Sequence, residues 1–208
     1  MWEERGREAS PYPDWAITVE VRMKNIYIPT SSPEDWRKLL ADPENHWKDG
    51  YSAKMLAYSW QNSINMPNEI KSLLNESDFS NLQNMEILFA FPEHKVFMPP
   101  SSGHPSQNDL FVLGKAQDGN LISIMIEGKA SETFGPTIED WMKDISIGKQ
   151  ERINFIKDKL MIKNDIPINL RYQLFHRIVS AIVEAEKFSA KYAIMIIHSF
   201  SPTNQWFN

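Results

Sequence analysis

The chain has 208 residues, and its hydrophobic fraction of 42% and aromatic fraction of 12% supply enough apolar side chains for one buried core. It contains no cysteine, which excludes disulfides, thiolate metal sites and cysteine nucleophiles, so any metal must be held by oxygen or imidazole ligands. The formal net charge of −5 argues against a broad surface for coating nucleic acid, whereas a local basic patch remains compatible with it.

The first residues carry no targeting signal. Residues 1–15 mix acidic and basic side chains with two prolines and lack the apolar centre of a signal peptide. We predict a flexible N-terminal segment over residues 1–16 and a single α/β domain over residues 17–208. The longest apolar stretch, residues 193–197, has the length of a strand, far below the ~18 apolar residues of a membrane span. We therefore expect a cytoplasmic protein that does not enter a membrane.

Helices are predicted to dominate the first part of the domain. A short strand at residues 25–28 precedes Ser32, which is followed by a proline and two acids, a pattern typical of a helix start. This helix should end at about Leu40. A second helix is predicted over residues 52–61, and a shorter one should follow Pro67. The helices before Pro67 form an N-terminal helical extension.

Three strands are predicted next. Residues 87–91 form a short apolar run that should be a buried strand ended by Pro92. Residues 98–107, which include three prolines, are predicted to be a loop. The β-rich runs 109–115 and 121–129 flank a turn signal and should form an antiparallel hairpin.

A long helix over residues 171–188 and a last strand over residues 192–197 complete the predicted elements. Apolar side chains recur at helical spacing at Leu174, Phe175, Ile178, Val179, Ile182 and Val183. The opposite, polar stripe consists of Gln173, Arg177, Ser180 and Glu184. We expect Ile178 to be buried against the sheet, Arg177 to be accessible, and the last strand to be buried on both faces as parallel strands are.

The turn of the hairpin decides which side chains share a face of the sheet. In a three-residue loop with Gly119 in the left-handed position, Asp109 lies opposite Glu127, and Lys129 shares their face. In a two-residue turn, Asp109 instead lies opposite Gly128 and the site does not form. The three-residue loop therefore predicts two carboxylates and an ammonium group at one place.

Two opposed carboxylates repel each other, so a cation is expected between them. Lys129 or a divalent metal could supply it. Magnesium prefers oxygen ligands, and a metal between Asp109 and Glu127 would polarise phosphoryl oxygens. The simpler interpretation is a cross-strand salt bridge without chemistry, which spacing alone favours.

The run Asn108-Asp109, seventeen further residues and then Glu127-Gly128-Lys129 resembles the bipartite motif of the PD-(D/E)XK nuclease superfamily. The resemblance covers about residues 68–200. It implies a restriction-endonuclease-like core with the order helix, three strands, helix, strand. It also implies that Asp109 and Glu127 bind Mg²⁺ or Mn²⁺ and that Lys129 assists the attacking water. Asn108 stands where the family pattern often has proline.

The resemblance extends to the long helix, where the superfamily often carries a glutamine or tyrosine. It implies that Gln173 orients the substrate, and the neighbouring candidates for this role are Tyr172, His176 and Arg177. A fourth acidic ligand could be Glu69, Glu93 or Glu132, and His198 could line the same cleft. Several stretches, such as residues 171–177 and 198–202, also resemble an uncharacterised bacterial family with no assigned activity.

Other enzyme signatures are absent from the sequence: it has no phosphate-binding glycine loop, nucleophile elbow or zinc-protease motif. We therefore predict a metal-dependent endonuclease or exonuclease, with a catalytically silent binding or regulatory module of the same fold as the alternative. The nucleic acid, DNA or RNA, should dock on residues 149–191, where nine basic residues outnumber five acidic ones. The oligomeric state stays open, a homodimer included.

Overall fold

A computed structural model of the chain describes residues 30–203. The predicted flexible segment at residues 1–16 and the predicted strand at residues 25–28 lie outside the described residues. The described part is a mixed α/β structure with a four-stranded sheet between two layers of helices. Among its helices, none combines the length and apolar character needed to cross a membrane.

The chain begins its described part with a 3-10 helix, Pro33–Leu39, whose Ser32 cap confirms the predicted start. The α-helices are α1 (Pro43–His46), α2 (Ser52–Asn62), α3 (Asn68–Asn75), α4 (Ile138–Met142), α5 (Ile147–Lys159) and α6 (Tyr172–Lys187). A single 3-10 turn, Ser80–Leu82, precedes the sheet. The strands are β1 (Glu86–Val96), β2 (Ser106–Lys115), β3 (Leu121–Lys129) and β4 (Tyr192–Ser199).

The sheet has the order β1-β2-β3-β4. The first three strands are antiparallel neighbours, and β4 runs parallel to β3. The predicted elements appear in the predicted order, with additions: α1 and the 3-10 turn were not predicted, and between β3 and β4 the chain forms three helices where the sequence analysis predicted one. The loop predicted over residues 98–107 ends earlier, because β2 begins at Ser106. The missed helices α4 and α5 begin at Thr137 and Ser146, whose side chains accept hydrogen bonds from the backbone three residues later. These two capping residues are the sequence signal from which the starts of α4 and α5 could have been predicted.

Strand β1 does not end at Pro92, as the sequence analysis predicted. Pro92 pairs with Leu110, and the strand continues to Val96. Proline removes a donor but leaves the extended backbone intact, so a strand continues where no ladder bond needs that N–H group. Immediately after it, Glu93 has a φ of +53°, a left-handed conformation that is uncommon outside glycine.

Two hydrophobic cores lie on opposite faces of the sheet, because successive side chains of a strand point to opposite sides. The core beneath α2 and α3 includes Leu56, Ile70, Leu110, Val112, Ile124 and Ile126. The core beneath α5 and α6 includes Phe111, Leu113, Met125, Ile153, Ile156 and Val179. Phe111 and Leu113 of β2 and Ser123 and Met125 of β3 therefore face α6. Farther along β3, Glu127 contacts Gln173 and Arg177 of the same helix.

The orientation of α6 differs from the prediction. Its residues Arg177, Ser180 and Glu184 are buried, whereas Ile178 is 37% exposed. The polar stripe faces the sheet, where Arg177 and Ser180 bond to Ser106 and where Glu184 lies 3.4 Å from His94 Nε2. A buried polar group is tolerated when it is hydrogen-bonded, and here that condition decides the rotation of the helix.

Strand β4 is only partly buried, contrary to the prediction that both of its faces are covered. Among the described residues it is the last strand of the sheet. Ile196 and His198 face α2 and are buried, while Ala193 is exposed and Met195 is half-buried. The parallel pairing with β3 is confirmed, from Ile122↔Tyr192 to Lys129↔Ser199.

Candidate active site

The β2–β3 hairpin has the three-residue loop on which the predicted site depends. Gly119 has a φ of +81°, and the Ala116 N–H donates to the Asn120 carbonyl at 2.8 Å. The pairs run from Lys115↔Leu121 to Leu110↔Ile126. The next position in this register places Asp109 opposite Glu127, so the predicted register is confirmed.

A row of three carboxylates crosses the sheet at this level. Glu93 and Asp109 lie between the paired positions Pro92↔Leu110 and His94↔Asn108, which places them opposite each other on β1 and β2. Glu127 continues the row on β3. Glu93 has a left-handed backbone conformation and lines the same cleft as the other two acids. Of the three acids proposed as a fourth ligand, Glu93 and Glu132 line this cleft.

Glu127 is the most heavily bonded member of the row. It is 2% exposed and accepts from Lys129 Nζ at 2.8 Å and from Gln173 Nε2 at 2.6 Å. Arg177 Nε donates to its other oxygen. Three donors from β3 and α6 therefore converge on one buried carboxylate, which satisfies its charge in a region from which water is excluded.

Asp109 is held differently from Glu127. Its Oδ2 accepts the Gly128 N–H at 2.8 Å, and its Oδ1 lies 4.0 Å from Arg177 Nη2. Its side chain keeps 23% of its surface exposed, toward the cleft. Packing at Gly128 is tight, because an added Cβ would lie 3.3 Å from the Ser52 Cβ on α2 and 3.5 Å from Asp109 Oδ2. One oxygen of Asp109 is thus positioned by the backbone and the other faces the cleft.

The acids of the row disfavour each other's ionised form. Burial, and then the charge of Glu127, raises the pKa of Asp109 to about 7. Burial, and then the charge of Asp109, raises the pKa of Glu93 to about 8. Arg177 opposes both shifts without cancelling them. Ionising all three acids at once is therefore unfavourable, because burial and mutual repulsion both oppose it.

The row lies at the floor of a cleft with a volume of about 420 Å³. One wall consists of Gln173 and Arg177 from α6, and the opposite wall comes from the segment that leads into α2 and includes His46 and Tyr51. Among residues 30–203, the buried side-chain amide oxygen of Gln173, Oε1, has no hydrogen-bond partner. A donor that enters the cleft, such as a water molecule, would satisfy it.

The other two proposed acids have different roles. Glu132 lines the cleft, but its carboxylate accepts from the backbone N–H groups of Ser52 at 3.1 Å and Ala130 at 3.2 Å. It therefore joins the start of α2 to the end of β3. Glu69 lies on the opposite face of the sheet, 3.1 Å from His198 Nε2. His198 also accepts from the Trp60 indole and is buried away from the cleft, so the prediction that it lines the cleft is wrong.

The four substrate-orienting candidates divide into two pairs. Gln173 and Arg177 line the cleft and contact Glu127. Tyr172 stacks on Trp141 with ring centroids 4.0 Å apart, and His176 accepts or donates to Ser106 at 2.9 Å. Burial, reinforced by Arg177, holds the pKa of His176 far below its ordinary value, so this imidazole is neutral. Tyr172 and His176 thus contact Trp141 and Ser106, respectively, and do not line the cleft.

Sequence reasoning missed Ser106, a buried hydroxyl between β2 and α6. Ser106 Oγ accepts a hydrogen bond from Arg177 Nη1 at 3.1 Å, and it also bonds with Ser180 and His176. Its position directly before the motif was the only signal.

The predicted docking stretch, residues 149–191, is less basic than its composition indicates. Four of its lysines pair with carboxylates, namely Lys157, Lys159, Lys187 and Lys191.

Comparison with known proteins identifies one family. No curated protein and no solved structure matches the chain. The family described as a domain of unknown function, DUF6946, matches residues 29–208. This match spans the entire described sheet, the helices on both of its faces and the cleft. The chain therefore belongs to the DUF6946 family.

Proposed function

We propose that this protein hydrolyses phosphodiester bonds of nucleic acid with the help of a divalent metal ion. The observation that carries the proposal is the convergence of Asp109, Glu127 and Lys129 at the floor of one cleft. Two acids and a lysine on adjacent antiparallel strands form a suitable set for binding a cation and assisting an attacking water. The proposed class is a hydrolase acting on ester bonds, either an endonuclease or an exonuclease.

The sequence motif and the element order support the same proposal. The Asn108-Asp109 and Glu127-Gly128-Lys129 runs resemble the PD-(D/E)XK motif, and α3, β1 to β3, α6 and β4 follow one another in the order of a restriction-endonuclease-like core. We include this core in the proposal. Sites and chemistry must be argued from the residues, because a shared fold alone does not determine function.

The residues of the cleft fit a hard divalent cation. All acidic donors are carboxylate oxygens, which Mg²⁺ and Mn²⁺ prefer, and burial followed by repulsion between the acids raises the pKa of Glu93 and of Asp109. Among residues 30–203, no three His, Asp or Glu side chains are grouped so that together they could hold a metal ion. Asp109 and Glu127 would hold the ion, and water and substrate oxygens would complete its shell. When bound, the metal would polarise a phosphoryl oxygen and acidify a water molecule.

The chain's own residues would perform the remaining tasks. Lys129, held by Glu127 at 2.8 Å, would position the attacking water and stabilise charge that develops on the phosphoryl oxygens. Arg177, buried and bonded to Glu127 through Nε, would hold that carboxylate in position. Gln173, with one amide oxygen unpaired within the described residues, would accept a hydrogen bond from the water.

A catalytically silent module is the second candidate function, and one observation favours it. Both oxygens of Glu127 are already engaged by Lys129, Gln173 and Arg177. A closed network of this kind is also what a salt-bridged remnant of an active site would form. The two functions differ in metal binding: an enzyme must open this network to admit a cation, whereas a remnant has no need to.

The test is a cleavage assay on plasmid DNA and on single-stranded RNA, with Mg²⁺ or Mn²⁺ and at low salt so that weak binding of a polyanion is not screened. Wild type should cleave one of the two substrates. Lys129→Met and Asp109→Ala should abolish cleavage, because the first removes the group that assists water and the second a metal ligand. Glu69→Gln, an acid on the other face of the sheet, is the matched control and should cleave as wild type does. Cleavage that persists in Lys129→Met, or none by wild type, would contradict the proposal.

A further inference from the structure

The cleft that holds the carboxylate row is also lined by ring side chains. Tyr51 is 38% exposed and His46 is also exposed, and both line the cleft. Asp109 and Glu127 line the same cleft. A flat ligand that enters the cleft would therefore meet both an aromatic surface and the carboxylates.

The backbone at Tyr51 is anchored to the strand that carries Glu127 and Lys129. Tyr51 precedes the first turn of α2, and its N–H donates to the Lys48 carbonyl at 3.2 Å. The next residue, Ser52, donates its N–H to Glu132, which also accepts from Ala130, directly after Lys129. The backbone that carries the Tyr51 ring and strand β3 are thus joined through one carboxylate.

The charges near the mouth match a ligand that combines a ring with phosphate. The Lys48 ammonium lies 5.9 Å from the centroid of the Tyr51 ring. By contrast, the basic side chains between residues 149 and 191 are largely committed: Arg152 binds backbone carbonyls and Lys159 pairs with Glu186. An aromatic ring beside a cation is the combination that proteins use to bind single-stranded nucleic acid.

The size of the cleft limits the ligand to a small group. Its volume of about 420 Å³ lies at the lower end of the range of roughly 300–1,000 Å³ for small-molecule sites. We propose that the cleft takes one unpaired nucleotide of a single strand, with its base stacked on Tyr51 and its phosphate near the divalent cation that Asp109 and Glu127 would hold. This inference rests on the proposed function and names its substrate: single-stranded ends or extruded nucleotides, in preference to paired duplex.

The test measures binding in a background that does not turn over. Fluorescence anisotropy with the Lys129→Met protein, Mg²⁺ and low salt would use a labelled oligodeoxynucleotide of about 16 nucleotides, alone or annealed to its complement. The single strand should bind more tightly than the duplex. Tyr51→Ala should weaken single-strand binding by roughly 5- to 140-fold, the fold-change expected from loss of one base–aromatic stack. Tyr51→Phe keeps the ring and should bind as its parent does.

Tyr58→Ala is the matched control, because Tyr58 lies on the same helix with 41% exposure but outside the cleft. It should leave binding unchanged. Equal binding of duplex and single strand, no single-strand binding, or equal effects of Tyr51→Ala and Tyr58→Ala would overturn the inference. Cleavage of duplex that is indifferent to Tyr51→Ala would refute the inference and leave the proposed function standing. Tyr51-dependent binding without any cleavage by wild type would refute the proposed function and leave the inference standing.

Discussion

Replacing Arg177 with methionine tests whether the charge network at the cleft floor stabilises the folded protein. Arg177 is 7% exposed, bonds to Glu127 through Nε and donates to Ser106 Oγ at 3.1 Å. Removing one partner of a buried ion pair costs about 3–5 kcal/mol. Lys129 still neutralises Glu127 in the variant, so we expect a loss of about 3 kcal/mol, at the lower end of that range.

Urea denaturation with a chelator at neutral pH measures this loss as a lower midpoint with an unchanged m-value. Glu127→Gln combined with Arg177→Met should recover part of the free energy of unfolding, because no uncompensated charge is then buried. Arg37→Met is the control, since Arg37 pairs with Glu44 on the surface. A loss for Arg177→Met below about 1 kcal/mol, the range of exposed pairs, would refute the reasoning.

Three further predictions concern the acids and the orientation of α6. Glu93→Gln should weaken Mn²⁺ affinity measured by calorimetry, because it removes one charge from the row, whereas Glu69→Gln on the other face should not. In metal-free protein, the raised pKa values of Asp109 and Glu93 contribute stability that is fully present below their ordinary values of 3.8 and 4.5 and is lost progressively as the pH rises to about 7 and about 8. Asp109→Asn should therefore gain stability relative to wild type over that window in urea melts, and a constant difference would argue against it. Ile178→Ala should lower the free energy of unfolding by less than about 1 kcal/mol in such melts. Val179→Ala, which creates a cavity at a buried site, should lower it by about 2–3 kcal/mol. The reverse order would contradict the observed rotation of α6.

The hairpin and its acids could be predicted because they depend on local chemistry. Gly119 is the residue that takes the left-handed conformation without strain, and this fixes the loop length. The loop length then fixes the register along the whole pair of strands. The opposition of Asp109 and Glu127 follows from counting outward from the turn, with no knowledge of the rest of the fold.

The rotation of α6 could not be predicted, because it depends on partners that are distant in the sequence. The apolar periodicity of the helix indicated that Ile178 is buried, yet Arg177 and Ser180 occupy the inner face. Their partners include Ser106 and Glu127, which precede them by about 50 to 74 residues. Burial of a satisfied polar network at this site outweighed the preference of the apolar stripe for the sheet.

Glu93 could be named from the sequence but could not be ranked. Its place in the row depends on the β1–β2 register, which a proline-rich loop of nine residues, 97–105, does not fix. Tyr51 gave no signal at all, because its position facing the cleft comes from the junction between Glu132 and the start of α2. Contacts of this kind join residues about 80 positions apart, and local patterns do not encode them.

Calorimetric titration of Mn²⁺ into wild type, Lys129→Met and Asp109→Ala tests the central claim most directly. Wild type and Lys129→Met should both bind the ion, because the lysine is assigned to the water and to developing charge and not to the metal. Asp109→Ala should lose binding, since it removes the carboxylate that faces the cleft. Absence of binding by wild type, or equal affinity in Asp109→Ala, would contradict a metal site at this row and leave Asp109, Glu127 and Lys129 as a structural salt-bridge network.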